Sequence, residues 1–329
     1  MERHIHLLFL VLLVVLVSGS DVPSFECQQN DYQYSDADLL HSNLSNCSRV
    51  YKAVNTKTQR PALIKEYNGK CLVNNPNNML ALVGQEIDML KIVKNVPGVA
   101  KLIETYPSSQ GGKCLALEWI EGTPLSEFVY NNRKGYLDVS LVKSIFANLA
   151  LTLLRVNRAG VSHRDIKPEN ILINGEEVYL IDFGYAVQSD EQDAWAVGSN
   201  LFMPPEKSDV SYYPLFHDWW SLAVTGLCML NPNKVQEHIK DMIDDEEYAS
   251  EYAETLELMD LLTKMLREVQ KERLVGRKVL ERLAEMGMCN SSDFMQVQQQ
   301  IQPLPQNAFL NYQPVNPLNF SDINAAGRY

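Results

Sequence analysis

Three side chains with hard oxygen atoms, Asp165, Asn170 and Asp182, lie close together in the stretch VSHRDIKPENILINGEEVYLIDFG. Between them, the Asn174-Gly175 pair is flanked by apolar segments, a pattern that predicts a β-hairpin with a two-residue turn. Because a hairpin brings its outer ends together, we expect Asn170 and Asp182 to lie side by side, with Asp165 a short loop away. Oxygen ligands suit Mg²⁺ or Mn²⁺, which also bind substrate phosphates. Any one of these residues alone is more simply explained as a turn cap, but the set together predicts a metal and phosphate site.

The elements that must position these side chains change in type along the chain. Residues 50–66 have the composition of two strands around a polar turn, and residues 111–120 that of another strand after a glycine pair. Helical patterns cover residues 77–95, 140–157 and 219–230, and they continue to residue 287. Strands in the first third and helices in the rest predict an α+β fold with two lobes.

The segments HRDIKPEN and DFG resemble the catalytic loop and the magnesium motif of eukaryotic protein kinases. The resemblance covers residues 43–287 and implies a bilobal fold, with a small β-rich N-lobe and a larger helical C-lobe. It also implies that ATP binds between the lobes with Mg²⁺ or Mn²⁺. Asp165 is then the base that takes the proton of the substrate hydroxyl, and Asn170 and Asp182 are the metal ligands.

A lysine and a glutamate extend the resemblance into the N-lobe. Lys65 in ALIK matches the strand lysine that contacts the α and β phosphates, and Glu86 matches its helical partner. Glu86 shares a helical face with the apolar residues Met79, Leu82, Met89 and Val93. An exposed glutamate is the ordinary alternative in a helix. Because an unpaired buried carboxylate is costly, its place in an apolar face predicts a cationic partner.

The resemblance also implies where adenine binds. LEWIEG is similar to the segment that joins the two lobes, so the backbone from Glu118 to Ile120 is expected to face the base. Ala62, in the strand that carries Lys65, and Val50, in the strand before it, are expected to contact the nucleotide as well.

The phosphate-covering loop departs from the family pattern. The pattern G-x-G-x-x-G-x-V ends at Val50, but Asn43, Ser45 and Ser48 stand in the three glycine positions. Glycine permits positive φ and a close approach of backbone N–H groups to phosphate. Ser is small, so we still expect Ser45 and Ser48 to contact the nucleotide. The missing glycines leave an alternative open: a secreted pseudokinase that acts as a binding or scaffold protein.

The type of substrate follows from two further residues. Lys167 in the catalytic loop is the residue carried by family members that act on Ser or Thr, and Ser199 stands where they usually have Thr. The resemblance therefore implies a protein serine/threonine kinase, with Lys167 in the catalytic set and a protein bearing Ser or Thr as substrate. A small-molecule kinase is the weaker alternative. Asp218 and Arg273 match structural anchors of the family.

Charge and the N-terminus restrict the partners and the compartment. A net charge of −12 without a basic cluster argues against nucleic acid. The apolar run Leu7–Val17, followed by small residues, predicts a signal peptide, and it is too short for a stable membrane span. We therefore expect a secreted or luminal protein of the secretory pathway. The six cysteines and the sequons at Asn43, Asn46, Asn290 and Asn319 suit disulfide bonds and glycosylation there.

These patterns divide the chain into five parts. We expect a signal peptide at 1–20, an N-terminal extension at 21–42, an N-lobe at 43–120 and a C-lobe at 121–289. An uncharged, Gln/Asn/Pro-rich tail at 290–329 is expected to be irregular. The cysteine pairing is left open by the sequence, although Cys228 in an apolar segment is expected to be a buried free thiol.

Overall fold

The computed structural model describes Cys27 and the ranges 31–43, 47–74, 79–108, 111–131, 137–191, 197–208, 212–232, 235 and 255–288. The chain divides into two compact units. The first contains the described residues up to 95, together with 99–122 and 181–185. The second contains 96–98, 123–180 and the described residues from 186 onward. The expected signal peptide, Ser45, Cys289 and the C-terminal tail lie outside the described residues.

The first unit is built on an antiparallel β-sheet. Its strands are β1 (Tyr32–Gln33), β2 (Leu39–Asn43), β3 (Ser48–Asn55), β4 (Pro61–Tyr67), β5 (Leu102–Pro107) and β6 (Lys113–Glu118). The order across the sheet is β1-β3-β4-β6-β5, and β2 pairs with β3. Strands β3 and β4 confirm the predicted strand pair, since Val, Tyr and Ile residues favour a pleated, half-buried surface.

The N-terminal extension forms part of this sheet. β1 pairs with β3 through Tyr32 and Gln33. On the face of β4 that carries Ala62 and Ile64, a buried cluster contains Cys27, Tyr32, Tyr51, Ala53, Tyr106, Cys114 and Ala116. The expected boundary between residues 42 and 43 lies inside β2, so part of the extension belongs to the sheet. Cys27 and Tyr32 of the extension pack in the buried cluster on one face of the sheet.

Two helices complete the first unit, α1 (Gly69–Asn74) and α2 (Met79–Ile92). α2 confirms the predicted helix at 77–95 and carries Glu86. Disulfide bonds join Cys27 to Cys114 and Cys47 to Cys71, with Cα–Cα distances of 6.0 and 5.6 Å. Both bonds lie within this unit and link segments that the sequence alone did not pair.

The second unit is mainly helical. Its helices are α3 (Leu125–Tyr130), α4 (Val139–Arg158), α5 (Pro214–Leu230), α6 (Leu256–Met265) and α7 (Arg277–Glu285). Its strands are β7 (Thr123–Pro124), β8 (Val161–Ser162), β9 (Ile171–Asn174), β10 (Glu177–Leu180) and β11 (Val187–Gln188). A β-sheet unit followed by a helical unit is the predicted α+β arrangement, and it matches the protein kinase fold.

Helices α4 and α5 form the core of the second unit. Asp138 caps α4 by accepting a hydrogen bond from the Ser140 N–H at 2.9 Å. By length and composition α4 is the described helix that could cross a membrane, but most of its apolar residues are buried inside the unit, as in a core helix. α5 begins with Pro214 in its first turn, five residues before the predicted start, because proline is favoured there. Cys228 in α5 is a buried free thiol, as expected.

The predicted hairpin is present, with a turn shifted by one residue. Asn174 pairs with Glu177, so the turn residues are Gly175 and Glu176 instead of the expected Asn174 and Gly175. Gly175 has a φ of 61°, and a turn with glycine in its first central position needs positive φ only there. The hairpin ends at the Ile171–Leu180 pair, with Asn170 directly before β9 and Asp182 two residues after β10.

Candidate active site

Three charged side chains of the first unit form one ion-pair network. Lys65 in β4 places its Nζ 2.7 Å from Oε1 of Glu86 in α2. The same ammonium lies 2.7 Å from Oδ1 of Asp182. The side chains of Lys65 and Glu86 are 11% and 2% exposed, whereas that of Asp182 is 48% exposed. The cationic partner predicted for Glu86 is therefore present, and the network opens to solvent at Asp182.

The two carboxylates determine the charge of Lys65. Burial by itself disfavours an ammonium and acts to lower the pKa of Lys65. The nearby carboxylates of Asp182 and Glu86 outweigh that desolvation and hold the pKa of Lys65 well above its ordinary value. The network therefore keeps a fixed positive charge at a defined point, which is what binding a phosphate requires.

A tyrosine that the sequence analysis did not identify also binds Glu86. The Tyr67 hydroxyl donates a hydrogen bond to Oε2 of Glu86 at 2.5 Å. Tyr67 follows Lys65 by two residues in β4, so both side chains lie on the same face of the strand. The sequence did contain a signal for this contact. A tyrosine two positions after the predicted phosphate-binding lysine lies on the same face of the strand and shares its surroundings.

A concave surface lies next to the network. Its lining includes His41, Asn43, Ser48, Val50, Lys65 and Asp182. Val50 is the direct cross-strand partner of Lys65, and Ser48 is that of Tyr67. The structure thus brings the expected nucleotide residues Val50 and Ser48 together with Lys65 and Asp182. Ser45 is not among the described residues.

Ala62 requires a correction. It was expected at the nucleotide, but it belongs to the buried cluster on the opposite face of β4 from Lys65. Alternate residues of a strand point to opposite faces, so Leu63 is the residue that shares the face of Lys65. Glu118 ends β6, and its N–H donates to the Lys101 carbonyl at 2.8 Å. Ile120 follows it in a half-buried, irregular segment.

Asp182 is suited to bind a divalent cation. Its backbone has a φ of 64°, and the Gly184 N–H donates to its Oδ1 at 3.3 Å. A Cβ added at Gly184 would lie 3.2 Å from that oxygen and 3.5 Å from Lys65 Nζ, so a larger residue would crowd the network. A half-exposed carboxylate offers the hard oxygen that Mg²⁺ and Mn²⁺ prefer, so this part of the donor set fits the implied metal.

The second unit holds the predicted base. Asp165 is 5% exposed, and both of its carboxylate oxygens accept hydrogen bonds. Asn170 Nδ2 donates to Oδ2 at 2.9 Å and to the Asp165 backbone carbonyl at 2.8 Å. Lys167 Nζ lies 2.8 Å from Oδ2. Since the Asn170 amide nitrogen is occupied in this way, its amide oxygen is the atom that fits a hard cation.

Ser199 joins the same cluster. Its backbone N–H and its hydroxyl both donate to Asp165 Oδ1 at 3.1 Å. Lys167 Nζ donates to the Ser199 hydroxyl oxygen at 2.8 Å. The cluster therefore holds the Ser199 hydroxyl between a carboxylate and an ammonium.

Asp218 and Arg273, expected as structural anchors, each make hydrogen bonds within the second unit. Asp218 accepts hydrogen bonds from the N–H groups of His163 at 2.9 Å and Arg164 at 2.7 Å. Burial raises the pKa of Asp218 to about 6, although these hydrogen bonds oppose the rise. The Arg273 guanidinium forms two hydrogen bonds with the Glu206 carboxylate, at 2.5 and 2.6 Å. Asp218 thus fixes the backbone directly before Asp165, and Arg273 holds Glu206.

The comparison with known proteins agrees with this geometry. Residues 46–283 match the model of the protein kinase domain. Similar relatives include a protein of Encephalitozoon cuniculi named "Probable cAMP-dependent protein kinase catalytic subunit", which is 34% identical over 42% of this chain and 42% of its own length. A serine/threonine-protein kinase of Arabidopsis thaliana is 30% identical over 57% of this chain and 27% of its own length.

A Dictyostelium discoideum protein named as a probable serine/threonine-protein kinase is 28% identical over 66% of this chain and 27% of its own length. The chain thus spans less than half the length of these relatives. The family model, however, covers most of the chain, including the ion-pair network and the catalytic loop. The match and the geometry together show that this chain belongs to the protein kinase family.

Proposed function

We propose that this protein is a serine/threonine kinase of the secretory pathway, which transfers the γ-phosphate of ATP to Ser or Thr hydroxyls of secreted or luminal proteins. The observation that carries the proposal is the Lys65 ammonium, held at 2.7 Å from both Glu86 and Asp182. The network presents an ammonium beside a half-exposed carboxylate, the two charges that binding of a nucleotide phosphate and its metal ion requires. The serine/threonine relatives and Lys167 support the substrate class.

The proposed reaction assigns a task to each unit. In the first, Lys65 binds the α and β phosphates, while Val50, Leu63 and the segment from Glu118 to Ile120 border the base. In the second, the substrate hydroxyl oxygen forms a bond to the γ-phosphorus as its proton passes to Asp165. The bond from that phosphorus to the bridging oxygen breaks, and ADP leaves with the electron pair.

Asp182 and Asn170 would hold Mg²⁺ or Mn²⁺, which neutralises phosphate charge when bound. Lys167 places a positive charge 2.8 Å from the base, where it stabilises the anionic group being transferred. These tasks need only position and charge, which is how phosphoryl transfer is catalysed in general.

The proposed compartment has two supports. The N-terminal apolar run predicts export, and the described cysteines other than Cys228 are joined in two disulfide bonds. Disulfide bonds persist in oxidising compartments. Expression in a secretory host tests this part: the chain should reach the medium, shortened at its N-terminus. Retention of an uncleaved, fully reduced chain inside the cell would contradict it.

A pseudokinase is the second candidate, and the loop before β3 favours it. That loop has no glycine, and its end is fixed by the bond between Cys47 and Cys71. Without glycine, this sequence lacks the residues that usually let backbone N–H groups approach phosphates closely. Binding of ATP without transfer would be the result expected of this candidate.

The enzyme assay separates the two candidates. The purified protein is incubated with labelled ATP, mixed protein substrates and either Mg²⁺ or Mn²⁺, and labelled amino acids are identified after hydrolysis. We expect phosphoserine or phosphothreonine, and a loss of at least about 100-fold in Asp165→Asn, the usual contribution of a general base. Asp190→Asn makes the same change at an exposed position of the second unit and should keep full activity. Nucleotide binding with no transfer in the unaltered protein would replace the proposal by the pseudokinase.

A further inference from the structure

Both carboxylate oxygens of Glu86 are bound by residues of one strand. Oε1 pairs with Lys65 Nζ at 2.7 Å, and Oε2 accepts the Tyr67 hydroxyl at 2.5 Å. Glu86 is 2% exposed and Tyr67 is 5% exposed, so water cannot readily replace either donor. A carboxylate that is bound at both oxygens cannot rotate without breaking the ion pair or the hydrogen bond. The direction of the Glu86 side chain is therefore fixed by Tyr67 as much as by Lys65.

The backbone of Tyr67 is itself held on two sides. A Cβ added at Gly112 would lie 1.8 Å from the Tyr67 carbonyl oxygen, so the backbone directly before β6 packs against that group. The next residue, Asn68, donates its N–H to the Cys47 carbonyl at 3.0 Å. These contacts leave the end of β4 little freedom, and the Tyr67 ring leaves the strand in a fixed direction.

The ring and the hydroxyl of Tyr67 have separate effects. The Lys65 Nζ lies 5.3 Å from the centre of the Tyr67 ring, close enough for a cation–π contribution. Burial and the nearby Glu86 carboxylate raise the pKa of Tyr67 well above its ordinary value, so its hydroxyl remains a hydrogen-bond donor. Phenylalanine would preserve the ring and remove only the donor.

We propose that Tyr67 is a positioning residue of this kinase: by binding the second oxygen of Glu86, it fixes the point at which Lys65 presents its ammonium to the nucleotide phosphates. The inference rests on the proposed function, because it names a further residue of the same site. Without the Tyr67 hydroxyl, Glu86 can turn about its last bond and Lys65 can move with it, or pair with Asp182 alone.

The test compares Tyr67→Phe with Tyr106→Phe. Tyr106 is a buried tyrosine of the same sheet, in the cluster on the other face, and its hydroxyl has no hydrogen-bond partner in the described part of the chain. We expect Tyr67→Phe to raise the KM for ATP about tenfold, the loss that corresponds to one hydrogen bond to a charged group, with a smaller change in kcat. Tyr106→Phe should leave both constants unchanged.

A double-mutant cycle with Glu86→Ala, which removes the acceptor, separates positioning from general stability. If Tyr67 acts through Glu86, the effect of Tyr67→Phe on the KM for ATP should largely vanish in the Glu86→Ala background. Equal effects in both backgrounds, or a fall in thermal stability with an unchanged KM, would show that the hydroxyl merely supports the fold and would overturn the inference.

Binding of a fluorescent ATP analogue makes the test independent of turnover. If the protein transfers no phosphate but binds the analogue, the proposed kinase activity fails, whereas a tenfold weaker affinity in Tyr67→Phe still supports the role of Tyr67. An unchanged affinity overturns that role alone. If the unaltered protein neither transfers phosphate nor binds the analogue, the proposed function and this inference are both overturned.

Discussion

Removal of the bond between Cys47 and Cys71 should destabilise the first unit without changing its native contacts. The bond joins the residue before β3 to helix α1, and Cys47 is 0% exposed. Hydrogen bonds connect the same two segments. Asn68 donates its N–H to the Cys47 carbonyl at 3.0 Å, and its Oδ1 accepts the Cys71 N–H at 2.9 Å. These contacts remain in Cys47→Ser and Cys71→Ser, so the loss should arise mainly in the unfolded chain.

The magnitude follows from the length of the closed loop. The two cysteines are separated by 24 residues, for which the chain-entropy relation gives a loss of about 3.5 kcal/mol in the free energy of unfolding. The bond between Cys27 and Cys114 spans 87 residues and gives about 4.6 kcal/mol by the same relation. Since domains are stable by only about 5–15 kcal/mol, either loss should be easy to measure.

Urea unfolding followed by tryptophan fluorescence, to which Trp119 of the first unit contributes, provides the assay. Each single variant and the double variant should lose the same 3.5 kcal/mol, roughly, because each lacks the same bond. The free energy of unfolding should also fall more steeply with urea concentration in the variants, because an unfolded chain without the cross-link exposes more surface. A reductant should destabilise the unaltered protein more than the double variant, which of the two described bonds retains only that between Cys27 and Cys114. If the double variant lost the sum of the two single-variant stability losses, or if no variant lost stability, the loop-closure explanation would be refuted.

Two further predictions concern other parts of the fold. Gly112→Ala should cost at least about 3 kcal/mol, because its new Cβ would lie 1.8 Å from the Tyr67 carbonyl oxygen. Gly111→Ala meets no atom within 4 Å and should cost only about 1 kcal/mol for its positive φ, so equal losses in urea unfolding would contradict the close approach. His217 has a pKa lowered by burial from 6.5 to about 3, so its contribution to stability is present above pH 6.5 and is lost as the pH falls toward 3. The stability difference between the unaltered protein and His217→Gln should therefore shrink by about 2 kcal/mol between pH 7.5 and pH 5.0, whereas parallel pH curves would exclude a depressed pKa.

The sequence predicted best where chemistry depends on residues close together in the chain. The pairing of Glu86 with a cation followed from one carboxylate in an apolar helical face, a pattern that has few physical explanations. The hairpin after Asn170 followed from an Asn-Gly pair between apolar segments. Its turn was misplaced by one residue because the glycine fits either central position of such a turn, and only the pairing of Asn174 with Glu177 decides between them.

The errors arose where distant segments meet. Ala62 was assigned to the nucleotide because it lies near Lys65 in sequence, but a shift of one residue in a strand reverses the face. The N-terminal extension has no periodic pattern, yet Cys27 and Tyr32 are held against the sheet by a disulfide bond and by strand pairing. Six cysteines can pair in fifteen ways, and nothing in the sequence favours one of them. Contacts of this kind are properties of the assembled sheet.

Strained backbone occurs in three of the segments that the sequence motifs identify. Among the described residues, positive φ outside glycine occurs at Cys47 (54°), Gln59 (57°), Arg164 (64°) and Asp182 (64°). Gln59 belongs to the turn between β3 and β4, where such a conformation is ordinary. The others lie in the phosphate-covering loop, the catalytic loop and the metal motif. Strain of this kind costs about 1–2 kcal/mol for each residue, so it persists only where the surroundings enforce it.

At Arg164 the enforcing contacts are identifiable. Asp218 binds the Arg164 N–H at 2.7 Å, and a Cβ at Gly198 would lie 2.4 Å from the Arg164 carbonyl oxygen. The left-handed backbone at Arg164 sets the direction of the next residue, Asp165, so relaxing it would turn the carboxylate away from Lys167. A protein that only binds a partner gains nothing from holding a strained residue beside a buried carboxylate. The strained backbone at Arg164 therefore supports the proposed enzyme over the scaffold.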